Sequence, residues 1–84
     1  MLKLQDKRIV ITGASKGLGA VAAPVLAEHG AKLVLMARTR DSLEAVRRAC
    51  PVSDEHLTIP VDLLNMEELR DGIARAQEFL GGID

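Results

Sequence analysis

Three glycines in the stretch Thr12-Gly13-Ala14-Ser15-Lys16-Gly17-Leu18-Gly19 carry the clearest chemical signal in this chain. A phosphate held at a helix N-terminus needs free backbone N–H groups and a backbone it can touch. Glycines clear side chains from that approach, and the helix dipole favours the negative charge. The spacing is G-x-x-x-G-x-G. It is neither the G-x-G-x-x-G dinucleotide fingerprint nor the G-x-x-x-x-G-K-[ST] of a P-loop. Lys16 precedes Gly17 instead of following it, which argues against a nucleoside triphosphatase. Gly13, Ser15, Lys16, Gly17, Leu18 and Gly19 are therefore the candidate phosphate-binding residues, with Thr12 ordering the turn.

Two further places could complete a nucleotide site. A dinucleotide-binding protein that prefers NAD carries an acid about 20 residues past the glycines, where it holds the ribose 2′-hydroxyl. Here that slot falls on Ala37, followed by Arg38. A neutral residue there does not repel a 2′-phosphate, and a guanidinium grips phosphate in bidentate fashion. Lys16 would add a second positive charge. NADP(H) is therefore expected in preference to NAD(H). Asp62 and Leu63 follow the third apolar run and form the third place. His29 falls at a helix C-terminus, where it reads as a partner of the helix dipole. His56 lies in a loop with no Cys or carboxylate cluster at metal-ligand spacing, so no metal is expected.

The elements that must position these residues alternate. Arg8–Thr12, Lys32–Ala37 and Leu57–Val61 are short apolar runs. The first two are continuous, as in strands covered on both faces. Pro60 cannot donate a ladder hydrogen bond and marks the third as an edge strand or a strand end. A first helix is expected over Gly17–His29, ended by Gly30. Pro24 lies inside it and predicts a kink or a later start. A second helix is expected from Asp41, with Glu44 completing a capping box, a stripe of Leu43, Val46 and Cys50, and a stop at Pro51. A third is expected from Asn65 with the stripe Met66, Leu69, Ile73, Ala76 and Leu80, ended by Gly81-Gly82. The order β-α-β-α-β-α predicts an α/β fold with a parallel sheet and right-handed crossovers.

Composition limits the alternatives. The 84 residues make one small domain, which buries only about 60–65% of its unfolded surface. Charged residues are 27% and the formal net charge is -1, which excludes a strongly basic nucleic-acid-coating chain. Phe79 is the only aromatic residue, so no aromatic platform exists for stacking bases, and no tyrosine exists for catalysis. Cys50 is the single cysteine and reads as a small buried apolar residue at a helix end. The N-terminus lacks the apolar stretch of a signal peptide, and no run reaches the roughly 20 apolar residues of a membrane span. A soluble, cytoplasmic protein without membrane or nucleic-acid partners is expected.

The residues TGASKGLG resemble the short-chain dehydrogenase/reductase family, whose members transfer hydride to or from nicotinamide cofactors on a Rossmann-like fold. Met36-Ala37-Arg38, Asp62-Leu63 and Gly81-Gly82-Ile83-Asp84 follow in the family's order and at compatible spacing, so the resemblance covers the whole chain. LVLMAR looks most like carbonyl- and hydroxysteroid-reducing members. The resemblance implies that basic residues at Lys16 and Arg38 select NADP(H). It implies that Asp62 accepts from the adenine amino group, and that the Leu63 N–H serves an adenine ring nitrogen. It further implies that residues 1–84 are the NADP(H)-binding half of a Rossmann-fold domain: a Rossmann-like half with a three-stranded parallel sheet in the order 3-2-1. The complete protein would interconvert a carbonyl and an alcohol, and would be a homo-oligomer.

The family's catalytic pair is Tyr-x-x-x-Lys, with a Ser and often an Asn. None of these is matched here, and no catalytic residue is carried over. The chain alone is expected to be inactive. A non-enzymatic nucleotide-binding or interaction module is the alternative. In the order 3-2-1-4-5-6 the first strand is central. Without a fourth strand Arg8–Thr12 is expected to be a bare apolar edge, and two copies are expected to join through it if the chain is stable.

Overall fold

A computed structural model describes residues 4–84. The elements are β1 (Arg8–Thr12), α1 (Gly17–Glu28), β2 (Lys32–Ala37), α2 (Arg40–Ala49), a short 3-10 turn at Ser53–Glu55, β3 (Leu57–Pro60) and α3 (Met66–Leu80). Both strand pairs are parallel, and hydrogen-bonded neighbours run β1-β2-β3. Read from the opposite edge this is the expected 3-2-1. Pro60 is the last residue of β3, at a sheet edge, where its missing N–H is tolerated.

β2 explains the layers. Leu33, Leu35 and Ala37 enter one core cluster with Ala23 and Ala27 of α1 and Leu43 and Val46 of α2. Val34 and Met36 enter the other, with Ala76 and Leu80 of α3. Successive side chains of a strand point to opposite faces, so a strand covered twice must be apolar throughout. From Leu33 to Ala37 every residue of β2 is buried.

The helices depart from expectation in three places. α1 begins at Gly17 and runs through Pro24 to Glu28, so the proline does not displace its start. α2 begins at Arg40 behind Thr39, not at Asp41, and has no side-chain cap. Glu44 does not complete a capping box. Its carboxylate accepts from Thr58 Oγ1 at 2.7 Å and from Arg47 Nε at 2.7 Å, which ties α2 to β3. These two donors, Thr58 foremost, hold the Glu44 carboxyl below its ordinary range. On α3 the cap is as expected: Asn65 accepts from the Glu68 N–H at 3.1 Å. The buried face of that helix, however, is Gly72, Ala76 and Leu80, while Met66 and Ile73 are exposed. A Cβ on Gly72 would lie 2.6 Å from the Met36 Cε. The methionine thus seats on the glycine, which turns that line toward the sheet and leaves Met66 and Ile73 at its margin. Cys50 caps α2 as a buried thiol, and burial pushes its pKa up.

Among the described residues no helix is long and apolar enough to cross a membrane. β1 is an edge strand, as expected, yet its first residue is occupied. Arg8 and Asp84 exchange backbone and side-chain bonds: Asp84 N–H to Arg8 O, Arg8 N–H to Asp84 Oδ2 (2.8 Å each), and Arg8 Nε to Asp84 Oδ2 at 3.0 Å. Arg8 Nη1 also donates to Gly81 O at 3.0 Å, which closes the end of α3 onto the sheet. Arg8 lowers the Asp84 pKa to about 2. A depressed carboxylate contributes stability above its unfolded pKa and loses that contribution as pH falls through its folded one. Asp84→Asn is therefore expected to unfold at lower denaturant than the parent at neutral pH. The two should converge as the pH drops to about 2. Urea unfolding of both proteins across that range checks this.

Candidate functional site

The strands β1, β2 and β3 all end on one side of the sheet, and the loops that follow them border a half-open cavity of about 740 Å³. Ligands in open α/β sheets bind outside the carboxyl ends of the strands. The cavity is lined by Gly13, Ser15 and Lys16 after β1, by Ala37, Arg38, Thr39 and Ser42 around the start of α2, and by Asp62, Leu63 and Leu64 after β3.

Each glycine of the turn has its own physical reason. Gly13 and Gly17 have φ of 65° and 62°, the left-handed region that side chains disfavour. A Cβ on either would meet no protein atom within 4 Å. Their requirement is thus backbone conformation, and at Gly13 also an unobstructed cavity wall. Gly19 differs. A Cβ there would lie 2.8 Å from Gly13 O and 3.0 Å from Ala14 Cα, so the first turn of α1 packs directly on the turn it follows. The Ala14 N–H donates to Met36 O at 3.2 Å and anchors that turn to β2.

The electrostatics suit an anion. The first turn of α1 has no acidic residue, and its cap residue, Lys16, makes no side-chain cap bond. The leading N–H groups of the helix have no side-chain acceptor from the cap, which leaves them for a ligand. Lys16 and Arg38 are exposed at the same cavity. After β3, Asp62 shapes its own loop: its Oδ1 accepts from the Leu64 N–H at 3.0 Å, and its N–H donates to Glu68 Oε1 at 3.2 Å. The Val61 N–H donates to Ala37 O at 2.7 Å and holds this wall against β2.

Of the residues singled out from sequence, Gly13, Ser15, Lys16, Arg38, Asp62 and Leu63 line the cavity together. Gly17, Leu18 and Gly19 are not among its lining residues; they form the first turn of α1 beside it, where the Leu18 side chain is 85% exposed. Thr39, Ser42 and Leu64 line the cavity and were missed. The signal for the first two was the hydroxyl pair three residues apart directly after Arg38. Placing the helix start at Asp41 hid it. His29 contacts Val25 O through Nδ1 at 2.8 Å at the end of α1, as its placement by the dipole argument implies.

The sequence profile of the short chain dehydrogenase family matches residues 7–84. The chain belongs to this family. An uncharacterized oxidoreductase of Staphylococcus aureus is 39% identical over the whole chain, and another from Staphylococcus saprophyticus is 37% identical. The chain spans 36% and 37% of their lengths. Among solved structures, a short-chain type dehydrogenase/reductase from Mycobacterium marinum superposes with a TM-score of 0.90 at 35% identity, over 98% of this chain and 34% of that one. Levodione reductase superposes with a TM-score of 0.90 at 32% identity, over 96% of this chain and 33% of its own. The fold is thus the Rossmann-like one of short-chain dehydrogenases, and the chain corresponds to their NAD(P)-binding region.

Gly19→Ala tests the close packing at the glycine-rich turn. The added methyl must displace backbone, not a flexible side chain, so it is expected to cost about 1–3 kcal/mol, as overpacking does. Urea unfolding measures that loss. Because a helix interior otherwise favours alanine over glycine by roughly 1 kcal/mol, an unchanged or raised midpoint would contradict the packing argument.

Proposed function

We propose that this chain is the NADP(H)-binding portion of an oxidoreductase that interconverts a carbonyl and an alcohol by hydride transfer. The observation that carries the cofactor preference is the lining around Ala37. A neutral residue ends β2, Arg38 follows at the cavity, and Lys16 faces the same space from the other side of the turn. Arg38 is the proposed 2′-phosphate ligand, with Lys16 adding charge. Ser15 and the N–H groups of Gly17, Leu18 and Gly19 are proposed for the pyrophosphate, with Gly13 leaving room for it. Asp62 and the Leu63 N–H are proposed for the adenine. The bound nicotinamide would supply or accept the hydride.

The chain holds no tyrosine, so no residue here matches the family's Tyr-x-x-x-Lys acid/base pair. We therefore assign these 84 residues to cofactor binding, and hydride transfer to the complete enzyme. A nucleotide-binding module without catalysis is the alternative reading. The gene past the Asp84 codon separates the two: a reading frame continuing into Tyr-x-x-x-Lys supports the enzyme, and a stop codon supports the module.

The cofactor reading is tested by titrating NADPH and NADH into the chain. NADPH is expected to bind more tightly. Arg38→Asp replaces a charge-assisted contact with repulsion. It is expected to weaken NADPH by roughly 10- to 100-fold, from the 1.5–3 kcal/mol of a hydrogen bond to a charged group, and to leave NADH nearly unchanged. Tighter NADH binding by the parent chain would overturn the preference.

A further inference from the structure

The loop after β3 spends its backbone donors on its own neighbourhood, with one exception. The Asn65 N–H donates to Asp62 O at 2.9 Å, and the Leu64 N–H donates to Asp62 Oδ1 at 3.0 Å. The Asp62 N–H donates to Glu68 Oε1 at 3.2 Å. The N–H of Leu63 has no acceptor among the described residues, and Asp62 Oδ2 has no donor among them. Both residues line the cavity. The loop's own bonding thus leaves over one donor and one acceptor, on adjacent residues of this wall.

The bond to Glu68 is the unusual one. In a capping box the acid at the third helical position reaches back to the N–H of the cap residue. Half of that box is present, since the Glu68 N–H donates to Asn65 Oδ1 at 3.1 Å. The other half is not formed, because Asp62 O already holds the Asn65 N–H. The Glu68 carboxylate reaches past the cap instead, to the N–H of Asp62, and closes the whole loop onto the first turn of α3.

We propose that Glu68 is a positioning residue for nucleotide binding. Its carboxylate oxygen, as a hydrogen-bond acceptor, fixes the Asp62 backbone and so presents the Leu63 N–H and the Asp62 carboxylate to the ligand. The inference rests on the cofactor reading above, and it gives a role to a side chain that does not itself line the cavity. An acceptor role and a charge role differ in sign. A dinucleotide carries negative phosphates, so a carboxylate beside the wall repels it. Were charge the whole effect of Glu68, its removal would tighten binding. Loss of the acceptor that holds the loop weakens binding instead. Glutamine keeps an acceptor oxygen and discards the charge. Glu67 lies in the same turn, so Glu67→Ala removes equal charge and leaves the Asp62 bond in place. Glu68 is exposed, so its truncation opens no void in the core and the variant is expected to fold.

The experiment titrates NADPH and NADH into the full chain and into Glu68→Ala, Glu68→Gln and Glu67→Ala. Glu68→Ala is expected to weaken both nucleotides alike, by about threefold to tenfold, the worth of one hydrogen bond. That pattern sets it apart from Arg38→Asp, whose loss falls on NADPH. Glu68→Gln and Glu67→Ala should bind no more weakly than the parent. Without any ligand, amide hydrogen exchange at Asp62 should quicken in Glu68→Ala and keep the parent's rate in Glu68→Gln and Glu67→Ala. Three outcomes would overturn the positioning role and leave the cofactor reading standing. They are binding by Glu68→Ala at the parent's affinity or tighter, an equal loss in Glu68→Gln, and an Asp62 exchange rate that Glu68→Ala does not change. A parent that binds neither nucleotide would overturn the cofactor reading and this role with it.

Discussion

The rest of this small domain packs around a strand whose residues from Leu33 to Ala37 are all buried. β2 shares one ladder with β1 and another with β3, and its side chains feed both cores. A core this thin leaves little margin, since a domain of this size buries a smaller share of its surface than a large one. The consequence reaches the cavity directly. The carbonyl of Met36 holds the glycine-rich turn through Ala14, and the carbonyl of Ala37 holds the opposite wall through Val61. Two adjacent carbonyls at the end of β2, pointing to opposite sides, thus set the distance between the two loops that line the cavity.

Much of this was legible from residue types alone. A continuous apolar run reads as a doubly covered strand because its neighbours on both faces are apolar. A glycine-rich turn between strand and helix reads as an anion site because only backbone can come that close. Asn65 with Glu68 was recognisable as a cap because the bond is local. What escaped the sequence was tertiary. Asp41 and Glu44 carry a capping signature, yet Glu44 finds better partners in Thr58, fourteen residues on, and in Arg47. Met66 and Ile73 fit the helical period, but Met36 seats on Gly72, and that contact decides which line of α3 faces inward. His56 looked like a loop residue, yet it is buried and its Nδ1 accepts from the Leu33 N–H of β2.

The candidate site shows the same division. Its glycines and cations announce themselves by type, whereas Thr39, Ser42 and Leu64 belong to it only through where α2 and the loop after β3 begin. The glycines also separate by cause. Gly13 and Gly17 answer to backbone dihedral angles, and Gly19 answers to the distance between a helix and the turn before it. One motif therefore contains two unrelated constraints, and a substitution at each fails for a different reason.

The bonds between Arg8 and Asp84 join residues 76 positions apart. In polymer terms they turn an open chain into a ring, with all three helices and both other strands inside it. Closing a loop of that length is entropically demanding, and contacts of such separation are slow to be rewarded during folding. The local α-β units can collapse first, with ring closure as the step that fixes the end of α3 against β1.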